Sequence, residues 1–170
     1  MRTGYELHIK TNILSFTKGD LGEEIFKNYL LSKGHTDIEV TTGLFYDYDI
    51  AATFKGKRLT YEVKYDTQAH YWMRKRNAEC INLYLEFRNT NKDKPSGIEM
   101  SKSDYYVYIV KGDIRVAFIF DTNQLREHLL TSDYPTAGNS ANGDNNALGY
   151  IPPITALLKK ESGFIKKIVV

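Results

Sequence analysis

Residues 47–66, DYDIAATFKGKRLTYEVKYD, constrain the fold of this chain more than any other stretch. They read as two strands joined by a tight turn at Lys55-Gly56. Side chains alternate faces along an extended chain, so Ile50, Ala52, Phe54, Tyr61, Val63 and Tyr65 form one apolar side. Asp49, Glu62 and Lys64 share the other. With Lys55-Gly56 as a two-residue turn, Phe54 faces Lys57 and Asp49 lies directly opposite Glu62. Moving the turn forward by one residue puts Asp49 opposite Lys64 instead. Cross-strand partners share a face in both registers, so the two acids and the lysine stay together.

Two facing carboxylates repel by roughly 0.2–1 kcal/mol when exposed, and by more when partly buried. Lys64 compensates in part. A hard divalent cation such as Mg²⁺ compensates better, because it takes carboxylate oxygens and keeps sites for water and phosphate. Such an ion lowers the pKa of an attacking water, while a lysine beside it orients that water or neutralises developing charge. The bland alternative is a solvated hairpin face held by ion pairs. Asp47 shares the face of Asp49 and is either a turn residue or its rival in register. Glu86, in the strand-like NLYLEF, points the same way as Asn82 and Tyr84 and is either a surface acid or a neighbour of the site.

The aspartate, the Glu62-Val63-Lys64 triplet thirteen residues after it, and the intervening hairpin resemble the PD-(D/E)XK nuclease superfamily. Tyr48 stands where that pattern usually has proline. Upstream, KGDLGEE is similar to the K-G-x-x-x-E opening of the archaeal Holliday-junction resolvases, whose first helix adds an acid; the match assigns Glu23, with Glu24 next to it. This resemblance spans residues 16–66. Beyond it the chain departs from the resolvases, which run a helix after the lysine strand. Its Asn82-x-x-x-Glu86 and SGI…K-x-D-Y-Y strings are similar to those of small phage and prophage nuclease-like proteins.

The resemblance implies one PD-(D/E)XK nuclease-like domain over 1–170, an α/β fold with a restriction-endonuclease-like core: a mixed central β-sheet flanked by helices. It implies a Mg²⁺-dependent deoxyribonuclease, with Mn²⁺ substituting, that hydrolyses DNA phosphodiesters as a phage-type or structure-selective recombination endonuclease. Asp49, Glu62, Lys64 and Glu23 are then catalytic, and Asp49, Glu62, Glu23 and the Val63 carbonyl hold metal. A homodimer in the cytoplasm of a bacterial, archaeal or phage-infected cell is expected. Three other readings stay open: a restriction endonuclease of the same superfamily, a non-catalytic DNA-binding protein that kept the fold, and a tyrosine-rich adaptor.

Immediately after the hairpin, HYWMRKR interleaves Tyr71 and Trp72 with Arg74, Lys75 and Arg76. That mixture suits phosphate contacts and base stacking; the alternative is an exposed basic helix with Trp72 tucked into the core. The net charge of +2 carries no argument for nucleic acid by itself. A single cysteine, Cys80, excludes an internal disulfide and a cysteine-based zinc site. His8, His35, His70 and His128 have no ligand spacing. No apolar run approaches the roughly 20 residues that cross a bilayer, and no charged-then-apolar signal opens the chain.

Elsewhere, alternation predicts strands at 6–12, 36–40, 80–88, 104–110 and 114–121, and at the closing FIKKIVV. Helices are predicted from Asp20, which caps the first, to Gly34, and over TNQLREHLLTS, with a helical turn at ITALLKK. Residues 66–79 read as irregular or a short helix. The polar stretch 136–149 reads as structureless.

Overall fold

The computed structural model describes residues 18–41, 47–77, 80–138 and 147–170; the expected strand at 6–12 lies outside them. The chain is α/β, with a mixed central sheet and flanking helices. Helix α1 (Lys18–Ser32) leads into an antiparallel meander of β1 (Thr36–Val40), β2 (Ile50–Phe54) and β3 (Lys57–Asp66). Helix α2 (Ala69–Lys75) follows, then β4 (Leu85–Asn89) and β5 (Lys94–Pro95), then β6 (Tyr105–Val110) and β7 (Val116–Asp121). The chain continues through α3 (Thr122–Thr131), β8 (Thr136–Gly138), β9 (Ala147–Tyr150), α4 (Ile154–Leu157) and β10 (Phe164–Val169).

Six strands form the central sheet in the order β1-β2-β3-β6-β7-β10. Only β3 and β6 run parallel among the described pairings; every other pair is antiparallel. That parallel step needs a long crossover, which α2 and β4–β5 occupy. YYVYIV in β6 is apolar throughout because a central strand is covered on both faces. One face packs on α1, where Phe26 and Leu30 meet Ile50, Tyr61, Val63, Val107 and Ile109. The other face carries Tyr106, Tyr108, Phe118 and Phe120 and packs on Leu83, Leu85, Ile98, Leu125, Leu129 and Leu157.

A second, four-stranded sheet, β5-β4-β9-β8, supplies much of that outer layer. It corrects two expectations. The strand predicted over 80–88 starts only at Leu85 and joins this second sheet, because its segment from Cys80 is held by an isolated bridge of Asn82 to Pro153. The stretch 136–149, read as structureless from its composition, begins and ends in β8 and β9, which pair with each other. Gly149 is there for space: a Cβ would sit 2.7 Å from the Tyr84 ring.

Asp20 lies inside the first turn of α1 and does not begin it. An acid there still meets the positive end of the helix dipole. Gly34, at φ +80°, ends the helix as expected. No helix among the described residues is long and apolar enough to cross a membrane.

Gly22 sets how close α1 comes to the sheet. A Cβ built there would stand 2.6 Å from the Tyr65 Cβ on β3, inside any real contact. Gly22→Ala should therefore lift α1 from β3 and destabilise the fold by about 1–3 kcal/mol, an overpacking cost measurable by urea unfolding. A stability equal to the parent's would show that α1 does not need this close approach.

Candidate functional site

The hairpin adopts the first of the two registers. Phe54 pairs with Lys57 and Ile50 with Tyr61. Lys55 and Gly56 both have positive φ, 50° and 77°, as a two-residue turn matched to strand twist requires. At Asp49 the two strands separate. Its N–H still donates to the Tyr61 carbonyl at 2.9 Å, but the next rung is made by a side chain: the Val63 N–H donates to Asp49 Oδ2 at 2.7 Å. Alternate residues of a strand direct their N–H and C=O to the same edge. The Val63 carbonyl therefore also faces the edge that β2 has vacated, beside Asp49.

Glu62 and Lys64 project from the face of β3 that carries Tyr106 and Tyr108 of β6, since Glu62 pairs with Tyr106 and Lys64 with Tyr108. Glu23 comes from α1, on the opposite face. Its charge nonetheless acts on Glu62, and that of Asp49 acts on it, so the three acids gather around the open edge of β3. All are partly buried. Glu24 turns elsewhere, to Lys27 at 3.2 Å. Asp47 pairs with Lys102 at 3.0 Å and accepts the Lys102 N–H on its carbonyl at 2.8 Å. It is a tether for the 97–104 segment and no rival to Asp49 in register.

The electrostatics follow from crowding acids where water is scarce. Burial first, then the Asp49 charge, pushes the Glu62 carboxyl up to about 8, with Glu23 adding to the rise. The Ser101 hydroxyl and Lys64 oppose the shift without cancelling it. Burial, Asp49 and then Asp20 push Glu23 up to about 7. Asp49 is also raised by burial, although the Val63 N–H and Lys64 hold it down. Near neutral pH the cluster thus keeps protons that ordinary carboxylates would have lost.

Two of these neighbours were not singled out from sequence. Ser101, 2% exposed, sits in a hydroxyl relay with Ser103 at 2.9 Å and Thr122 beyond it at 3.0 Å. The Ser103 N–H donates to Ser101 Oγ at 3.3 Å, and Ser103 Oγ donates to the Tyr105 carbonyl at 3.1 Å. Tyr106 is buried, and its hydroxyl is held well above its usual range by burial and then by Glu62, Asp49 and Glu86. Glu86 thus approaches the site, but from the second sheet stacked on this face and not from a neighbouring strand. Tyr106 closes the K-x-D-Y-Y string, but neither that string nor local alternation reveals the parallel pairing that brings Tyr106 beside Glu62.

The donor set suits a hard divalent cation: carboxylate oxygens beside a strand carbonyl that faces the same open edge. Among the described residues no three acidic, histidine or cysteine side chains already close on a single point. The segment 70–76 is a short helix, and Trp72 is 43% exposed, so it is not tucked into the core.

The raised carboxyls have a thermodynamic signature. Each binds its proton more tightly folded than unfolded, so its contribution to stability is full below the ordinary carboxylate pKa near 4.5 and is lost as pH rises through about 7 to 8. In EDTA, Glu62→Gln should remove the upper part of this loss. The difference in unfolding free energy, variant minus parent, should therefore grow between pH 5 and 8.5. Added Mg²⁺ should shrink that difference by stabilising the parent alone. A pH-independent difference would mean that Glu62 is not desolvated. No protein-family model, curated protein or solved structure matches this chain.

Proposed function

We propose that this chain is a metal-dependent nuclease of PD-(D/E)XK type that hydrolyses DNA phosphodiesters. The observation that carries the reading is that Asp49, just before β2, Glu62 on β3 and Glu23 on α1 are all partly buried and within reach of one another's charge, with Lys64 two residues beyond Glu62 on β3. A surface ion-pair face would place its acids in water; this one crowds them until two hold protons near pH 7. The remaining architecture agrees with a restriction-endonuclease-like core. A mixed sheet is flanked by helices, and the short α2 follows the lysine strand, so the departure from the resolvases expected beyond residue 66 begins only after α2.

In this reading Asp49, Glu62, Glu23 and the Val63 carbonyl hold a Mg²⁺ ion. The bound ion would lower the pKa of a water and offset charge on the scissile phosphate. The Asp49 carboxylate is fixed by the Val63 N–H, so one oxygen is spoken for and the other is aimed. Ser101 orients Glu62 through its hydroxyl. Lys64, two residues on along the same face, lies where it can orient the attacking water and neutralise charge on phosphate oxygens. The water oxygen bonds to phosphorus as the bond to the departing sugar oxygen breaks. The water gives up one proton to solvent, and the departing oxygen takes one.

Incubation of plasmid and branched DNA with Mg²⁺ should give cleavage that EDTA abolishes. Glu62→Gln should keep the fold and lower the cleavage rate on the order of 10²-fold or more, because several kcal/mol of charge stabilisation is lost. Metal-free DNA binding should persist in that variant near pH 7, and tighten above about pH 8, where the parent Glu62 is ionised and repels phosphate. Lys64→Ala should also stop cleavage, yet leave Mn²⁺ affinity by calorimetry intact or raised, because a competing cation has gone. If both variants cut as well as the parent, Glu62 and Lys64 are only a surface ion pair.

A further inference from the structure

Helix α2 shows two large aromatic rings to solvent. Tyr71 is 53% exposed and Trp72 43%, with ring centroids 5.3 Å apart and planes crossed at 72°. Lys75 Nζ lies 5.1 Å from the Trp72 ring centre and 5.8 Å from that of Tyr71, and the Arg76 guanidinium carbon is 5.4 Å from Trp72. Arg74 beside them has only a loose, exposed contact with Asp113, at 3.6 Å, which water and salt weaken. Exposed tryptophan and tyrosine side by side, ringed by three consecutive cations, form a surface that offers π-faces and positive charge together.

The position of this surface is set by the site strand. Asp66, the last residue of β3, accepts the N–H groups of Gln68 and Ala69 on Oδ1 at 2.7 and 2.8 Å and the Tyr108 hydroxyl on Oδ2 at 2.5 Å. Ala69 is buried in the cluster that includes Tyr106 and Tyr108. Helix α2 is thereby anchored on the face that carries Glu62 and Lys64, just past the end of the same strand.

We propose that the exposed side of α2 is a stacking platform for unpaired nucleotides of single-stranded DNA, next to the acidic site. The choice of polymer rests on the nuclease reading. Paired bases keep their π-faces inside the helix, whereas an unpaired base presents one to any aromatic ring. Rings crossed at 72° cannot share one base, so each takes its own. Arg74, Lys75 and Arg76 then meet the intervening phosphates. A duplex satisfies only the cations; a single strand satisfies both.

Trp72 is the single tryptophan of the chain, so its fluorescence reports on this surface alone. With the full chain in EDTA, oligothymidylate of roughly a dozen nucleotides should quench that fluorescence. It should also bind, by anisotropy of a labelled strand, at least about tenfold tighter than a duplex of equal length. Trp72→Ala should weaken the single strand about tenfold or more and leave the duplex nearly unchanged, while Trp72→Phe should retain most of the affinity. Circular dichroism confirms that each variant is folded. Absence of quenching, equal affinity for duplex, or an unaltered single-strand affinity in Trp72→Ala would overturn the platform. The nuclease reading fails separately: a parent that quenches yet never cuts with Mg²⁺ loses its catalysis and keeps its platform. A parent that cuts but is indifferent to Trp72→Ala loses only the platform.

Discussion

The hydrogen bond from the Val63 N–H to Asp49 Oδ2, 2.7 Å long, takes the place of a backbone rung where β2 ends. A strand can leave a ladder only if the abandoned donors and acceptors are satisfied otherwise. Here one carboxylate oxygen satisfies the donor, so β2 can turn away without an orphaned N–H. The vacated edge of β3 then opens between the two faces of the sheet. Acids from α1 on one side and from β3 on the other can meet there, which neither face alone would allow. The site exists because a side chain ends a strand.

The rest of the molecule keeps that opening narrow. Gly22 lets α1 lie against Tyr65, which brings Glu23 toward the gap. The second sheet and the 97–104 segment cover the other face, where the segment delivers Ser101 beside Tyr106 of β6. Arg126 fixes that segment by donating from Nε to the Ile98 carbonyl at 2.9 Å and from its guanidinium to the Ser101 carbonyl. Each enclosing element removes water from carboxylates that have no full counter-charge. The cluster thus holds protons that isolated carboxylates would lose near neutral pH.

The local parts of this arrangement were legible in the sequence. Alternation and a two-residue turn gave the hairpin, and counting outward from Lys55-Gly56 gave its register as far as Ile50 opposite Tyr61. Glycine after the apolar stripe marked the end of α1. What escaped was non-local. Leu85 carries the same alternation whether it joins the central sheet or a second one, so pattern alone put the 80–88 segment in the wrong layer. The strands at each end of 136–149 are short and glycine-rich, and their pairing with β4 and with each other outweighs a composition typical of loops. Ser101 reads as one more polar residue in a turn until the parallel pairing of β3 with β6 carries it to Glu62.

That parallel pairing also imposes an order of assembly. The β2–β3 hairpin closes across two residues, an event of microseconds, and brings Asp49 against Glu62 while both are still hydrated. Joining β6 to β3 closes a far longer loop; the clamp of Asp104 Oδ2 on the Thr60 N–H, at 2.8 Å, links residues 44 apart in sequence. Long-range closure of this kind is the slower process. Tyr106 and Ser101 arrive only then, and with them the loss of water that raises the carboxyls. Proton uptake from solvent is therefore tied to the docking of β6 and not to the meeting of the acids. Buffer pH thus acts on the late part of folding, through residues that the early part has already brought together.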